Sequence, residues 1–316
     1  PERFRSLVPS WLSVAMPNRE PRRAAGEPLR VRRPFASRRA IDEAIQIADS
    51  LMQKQPYRTE FQLLKAKALT QKAALLWALN DGRSGKTALQ QAIDLVERLE
   101  SEHPNSAEYK YLLAEIHALP VGQSRQTAID SLQESKSTLI GLTARYDRNL
   151  DYRQLLAQVS LRLGELLEDA GDRKNAQRNL NLARQLYLEM IQETPRSRQI
   201  HLNALCSALS AADLQLKNGK LDQSVASLEA WIDELNQIRL TEKKKSRMPP
   251  SFFFLRAAGC DALSIVLRQA GRIEEADRAD DRAAEVRKLV NARLSRLTNR
   301  NRVSRESQGA STVAPD

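Results

Sequence analysis

The sequence predicts an all-α protein, a solenoid of stacked antiparallel helix hairpins, and three observations carry that reading. The first is composition. Only 11 glycines, 13 prolines and 5% aromatics occur in 316 residues. Alanine, leucine, glutamine, arginine and glutamate fill the middle, a mixture that favours helix and denies sheets the β-branched and aromatic residues they use. The second is an alternation of breakers and glycine turns. Breaks at Pro56, Pro104, Asn149, Pro195 and Pro249 lie 48, 45, 46 and 54 residues apart, with turns at Gly82, Gly122, Gly171, Gly219 and Gly271 between them. The third is apolar spacing. Each interval holds two stretches with helical periodicity, and a hairpin repeated at such a period means a solenoid.

Taken in order, residues 1–36 hold six prolines and no sustained period, so they read as an extended basic arm or the end of an upstream domain. The chain opens on Pro1 rather than Met, so the natural N-terminus is expected further upstream. Within this arm, RFRSLVPSWLSVAM (3–16) mixes arginine with Phe4, Leu7, Trp11 and Leu12. It suits a membrane surface or a partner, the tail end of an upstream domain, or folding back on the array. A helix follows at about 37–54, then hairpins at 57–103, 106–146, 150–194, 197–240 and 251–299. The clearest unit runs from Asn149 to Pro195. Its first helix carries Leu155, Leu156, Val159, Leu163, Leu166 and Leu167, and Gly171 ends it. The second helix shows Ala176, Leu180, Ala183, Tyr187 and Met190, stepping four, three, four, three. TEKKKSRMPP (241–250) is the longest insertion, the helix from Ile273 turns polar and basic as a cap should, and 300–316 reads as a disordered tail.

Leu163-Gly164, Gly171, Ala176 and Ala183 stand at the offsets where tetratricopeptide repeats place their close-packing Leu-Gly, turn glycine and two small alanines. The chain therefore resembles that family over 37–299. Gly271, Ala276 and Ala283 repeat the pattern with Ser264 in place of Gly164. Gly219 is followed by Ser224 and Trp231 at the alanine positions, and the units at Gly82 and Gly122 need a shift. The unit is about a dozen residues longer than the family's usual 34. With EHPNSAEY (102–109) at a joint, it is similar to long repeats appended to some bacterial serine/threonine kinases. No HRD or DFG kinase motif occurs in the chain. The resemblance implies a right-handed superhelix whose first helices line a concave, partner-binding groove.

Formal net charge is +11. Residues 1–40 carry ten basic side chains against three acids and 287–316 carry seven against two, which leaves the body 33 against 34. The basicity belongs to two arms, so nucleic acid or anionic membrane is expected only through them. Cys206 and Cys260 lie in apolar helical patterns and read as small buried hydrophobes. No stretch approaches the roughly 20 apolar residues of a span, and a cytoplasmic location is expected.

NDGRSGKT (80–87) looks like a phosphate loop, with Gly85, Lys86 and Thr87 in place but Asn80 where the first glycine belongs. Its upstream neighbour, LLKAKALTQKAALLWAL (63–79), reads as helix rather than the required strand, so the motif is an inter-helix turn. His103, His117 and His201 lack zinc-ligand spacing and read as surface or capping residues. Glu274/Glu275 and Asp280/Asp281 read as solvated partners of nearby arginines, and of Phe252, Phe253 and Phe254 at least one ring must leave the core face.

The expected function is non-enzymatic, a protein–protein interaction scaffold within a larger bacterial signalling protein, binding a protein or peptide. The alternative is a nucleic-acid- or membrane-associated regulator acting through the arms. No catalytic residue, cofactor, metal or small-molecule substrate is expected. Partner contacts are expected from polar residues on first helices: Lys65, Lys72, Arg153, Gln158, Arg162 and Asn203, which would engage carboxylates or backbone. Packing is expected to rest on Gly164, Gly171, Ala176, Ala183, Gly219, Gly271 and Ala276.

Overall fold

The computed structural model describes residues 32–119, 124–194, 197–241 and 250–310. Among them regular structure is entirely helical, in eleven helices: α1 (Arg32–Lys54), α2 (Thr59–Ala78), α3 (Gly82–Glu102), α4 (Ala107–His117), α5 (Arg125–Arg145), α6 (Leu150–Asp169), α7 (Arg173–Glu193), α8 (Arg198–Lys217), α9 (Leu221–Thr241), α10 (Pro250–Gln269) and α11 (Ile273–Ala310). Two compact bodies divide inside α7, between Asn179 and Leu180. In the first, each helix from α1 to α6 packs on the next. In the second, α8 packs on α9, α9 on α10 and α10 on α11, and α8 also meets α10.

The same local chemistry starts four of the helices, α2, α4, α6 and α8. At successive joints a backbone N–H reaches back three residues: Arg58 to Gln55, Ser106 to His103, Asn149 to Tyr146, and Ser197 to Thr194. Three of these residues then cap the helix. The Ser106 side chain accepts from the Tyr109 N–H, Asn149 from Asp151 and Tyr152, and Ser197 from Ile200. Each cap satisfies a donor that the first helical turn leaves without a partner.

Hairpin turns repeat just as closely. Asn80, Gly171, Gly219 and Gly271 have φ of 62°, 87°, 70° and 72°. The next residue's N–H then bonds five residues back: Asp81 to Leu76, Asp172 to Leu167, Lys220 to Gln215, and Arg272 to Leu267. This six-to-one bond closes a helix end whose left-handed residue is glycine or, less comfortably, asparagine. Gly82 is therefore not the turn residue the sequence suggested; it is the first residue of α3, and Asn80 takes the left-handed place. Gly122 lies outside the described residues. A Cβ added at Gly171 would meet no atom within 4 Å, so Gly171→Ala isolates the backbone strain. It should cost about 1 kcal/mol in urea unfolding, and Gly171→Asn less.

The corrected turn sets the register. Five residues past each left-handed position stand Gly85, Ala176, Ser224 and Ala276; twelve past stand Ala92, Ala183, Trp231 and Ala283, and all eight are buried. Gly85 has this small-residue role because a Cβ there would lie 3.0 Å from Cε2 of Trp77. The glycine that makes NDGRSGKT resemble a phosphate loop is the repeat's packing glycine, and Asp81 caps α3 by accepting from the Ser84 N–H. Gly164 is buried on α6. In the first body, Leu63, Leu69 and Leu76 of α2 join Leu89, Val96 and Leu99 of α3 and Leu112 and Ile116 of α4 in one apolar cluster.

Several expectations are corrected here. Residues 300–310 continue α11 where the sequence suggested a structureless tail; from Ile273 no glycine or proline interrupts the helix before Gly309. His201 is no surface residue, being fully buried on α8. Cys260 is buried as expected, whereas Cys206 is half-buried; neither forms a disulfide. Phe252 is fully buried, and Phe253 and Phe254 are half-buried. Residues 1–31 and 242–249, which hold most of the N-terminal arm and of the lysine-rich insertion, lie outside the described residues.

Candidate partner-binding face

Helical periodicity places one series of side chains toward solvent on each first helix of the first body. On α2 these are Glu60, Leu64, Lys67 and Gln71; on α4, Glu108, Tyr111 and Glu115; on α6, Asp151, Gln154, Gln158 and Glu165. Contacts tie the three series together. Lys67 Nζ donates to Glu108 Oε1 at 2.8 Å, from α2 to α4. The rings of Tyr111 and Tyr152 lie 5.0 Å apart, centroid to centroid, from α4 to α6. Tyr146, at the end of α5, meets Tyr152 edge-on at 6.0 Å, and the Arg145 guanidinium sits 5.6 Å from the Tyr146 centroid. The Asn149 cap holds the backbone of Asp151 and Tyr152 in place.

Burial and the neighbouring carboxylates both act on the titratable groups of this patch. Burial, then Glu115 and Asp151, push the Tyr111 hydroxyl up to about 12. Tyr152 is raised in the same way by burial, with Tyr146, Glu108 and Asp151 contributing. Burial also raises the Glu115 carboxyl, against the pull of Lys67.

The structure redirects the sequence-based choice of contact residues. Lys65 and Lys72 face α1, where their Nζ atoms lie 2.6 Å from Asp49 and 2.7 Å from Asp42. They serve the docking of α1. Arg153 is buried, at 8% exposure, rather than projecting toward a partner. Arg162 is half-buried, and burial holds its guanidinium below its usual range. Gln158 stands exposed on the α6 series. Asn203, half-buried on α8 in the second body, accepts from Gln199 Nε2 at 3.0 Å. Sequence reasoning passed over Tyr111, Glu115, Asp151 and Tyr152. The available signal was the run of acids and aromatics on α4 and the start of α6, Glu108, Tyr111, Glu115, Asp151 and Tyr152; favouring cations hid it.

Among the described residues, no group of three or more His, Cys, Asp or Glu is placed to hold a metal ion, and no helix is long and apolar enough to cross a membrane. Of the acids singled out on α11, Glu275 lies 2.5 Å from Arg272 and Asp280 lies 2.7 Å from Arg268, which belongs to the preceding helix α10 and also reaches Asp277 at 2.7 Å.

Helix hairpins in sequential packing, closed by left-handed turns with small residues at fixed offsets, define a tetratricopeptide-repeat-like array. A solved structure with a TM-score above 0.5 agrees on that fold. The crystal structure of BtubC (BKLC) from P. vanneervenii is similar with a TM-score of 0.52 at 14% identity, covering 82% of this chain and 92% of that one. Nearly identical TPR-like repeats of a kinesin light chain from Podosopora anserina give a TM-score of 0.45 at 18% identity, covering 70% and 94%. A thermophilic TPR protein of Thermus thermophilus gives 0.31 at 20%, covering 72% and 98%. No family model and no curated protein matches the sequence.

Proposed function

We propose that the chain is a non-enzymatic, cytoplasmic protein–protein interaction scaffold, part of a larger bacterial signalling or regulatory protein. It receives a peptide or partner segment along the solvent faces of its first helices. One observation carries this reading. Lys67–Glu108 and Tyr111–Tyr152 link α2, α4 and α6 into one partly exposed polar and aromatic strip, while each helix's opposite face is spent on the hairpin core. A single hairpin cannot bury its apolar stripe, so the stack is required for stability and the strip comes with it.

Site-specific photo-crosslinking in cells tests the proposal. A crosslinker at Gln158 on α6 should capture a defined partner, and one at Asp94, exposed on the second helix α3, should not. Equal capture from both positions would defeat the assignment. If the basic arms were responsible instead, capture would fall steeply between low and moderate salt and vanish on deleting 1–36 and 287–316.

A further inference from the structure

The sequence pointed to cations that take a partner's carboxylates; the placed side chains point the other way. On the strip of the first body, Lys67 is already paired with Glu108, and Lys65 and Lys72 are held by α1. Beside them stand two half-buried tyrosines, Tyr111 and Tyr152, with half-buried Glu115 and exposed Asp151. We propose that Tyr111, Tyr152, Glu115 and Asp151 form a site for arginine side chains of an extended basic peptide, so that the partner segment is cationic. The assignment rests on the scaffold reading given above and adds the chemistry of its partner.

Three features converge on this chemistry. An aromatic face attracts a cation, and arginine most often, because its flat guanidinium stacks on the ring while its N–H groups remain available to carboxylates. The chain already shows the arrangement at this spot, where Arg145 lies over the Tyr146 ring at 5.6 Å. Glu115 is half-buried, its carboxyl is raised by that burial, and Lys67, the cation acting on it, is engaged at Glu108. A carboxylate held in that state gains most from an incoming cation, because the desolvation cost is already met by the fold. Asp151 and Glu108 add to the same field, as their influence on the two tyrosine hydroxyls shows. Asn149, through its cap, fixes where α6 begins and therefore where Tyr152 and Asp151 stand.

An array of 12-residue peptides in three classes, arginine-rich, neutral and glutamate-rich, would be probed with the full chain at moderate salt. Four proteins are compared: unaltered, Tyr152→Leu, Glu115→Gln and Tyr152→Phe, with melting temperatures measured for each. The expected result is preference for the arginine class. Affinity should fall about tenfold on Tyr152→Leu and on Glu115→Gln and be kept by Tyr152→Phe, because the ring face rather than the hydroxyl makes the contact. Preference for the glutamate-rich or neutral class, lost in the same variants, overturns the cationic assignment while the scaffold reading stands. Arginine-class binding unchanged by every variant overturns this site. Absence of binding in all classes overturns both readings.

Discussion

Gly259→Ala should unfold the second body at distinctly lower denaturant than the unaltered chain. A methyl placed at Gly259 would stand 2.3 Å from Cζ3 and 2.9 Å from Cε3 of Trp231, with Ile232 Cγ1 at 3.3 Å. Trp231 is fully buried, so its ring has nowhere to retreat, and α10 must move off α9 instead. Overpacking of this kind costs typically about 1–3 kcal/mol, and a rigid aromatic neighbour argues for the upper end. The reason for the contact lies in the repeat. Trp231 occupies the position taken by Ala92, Ala183 and Ala283 in the other hairpins, and Gly259 gives back the space that the indole takes. Trp231→Ala alone should cost about 3–5 kcal/mol through the cavity it leaves. Combining Trp231→Leu with Gly259→Ala should recover much of the loss from the glycine change. A double-mutant cycle by urea unfolding measures that coupling; additive effects would mean the two residues do not share the space.

Acid should weaken the same body through His201. The ring is fully buried, packs edge-on against Phe252 at 5.4 Å, and finds no hydrogen-bond partner for either nitrogen among the described residues. Burial lowers its pKa from 6.5 to about 4. The unfolded chain takes up the proton more readily, so this contribution to stability is intact above pH 6.5 and is lost as pH falls toward 4. The shift corresponds to about 3 kcal/mol across that window. His201→Leu, neutral at every pH, should flatten this part of the profile. Hydrogen exchange followed in peptides from 198–217 gives the readout: protection should fall between pH 6.5 and 4 in the unaltered chain and hold in the variant. Parallel profiles would show that carboxylates elsewhere set the acid response.

Much of the fold was legible because its determinants are local. A breaker, a polar cap and a left-handed turn act within about six residues, and an apolar stripe declares itself every three or four. Gly171, Gly219 and Gly271 sit where the pattern placed them. Asn80 escaped notice because asparagine is the less common left-handed residue, and Gly82 two places on drew the eye. The tail at 300–310 was misread because polar composition resembles disorder, although nothing in it stops a helix already under way.

The candidate site was less legible. Gln158 was placed on an exposed first-helix face, and it is there. Lys65 and Lys72 share helical spacing with it but lie around the helix toward α1, where acids sixteen and thirty residues upstream hold them. Arg153, at the first turn of α6, goes into the body instead of out of it. Period alone says which residues share a face; what that face meets depends on the neighbour.

By itself the sequence determined the class of this protein, its order of helices and the offsets of its small packing residues, since backbone hydrogen bonding and apolar periodicity act over short separations. Only the tertiary structure decided which charges are spent and which remain, and why a tryptophan fits where its counterparts are alanine. Ion pairing and burial are properties of contacts between helices distant in sequence, and the strip of tyrosines and carboxylates exists only once α4 and α6 lie side by side.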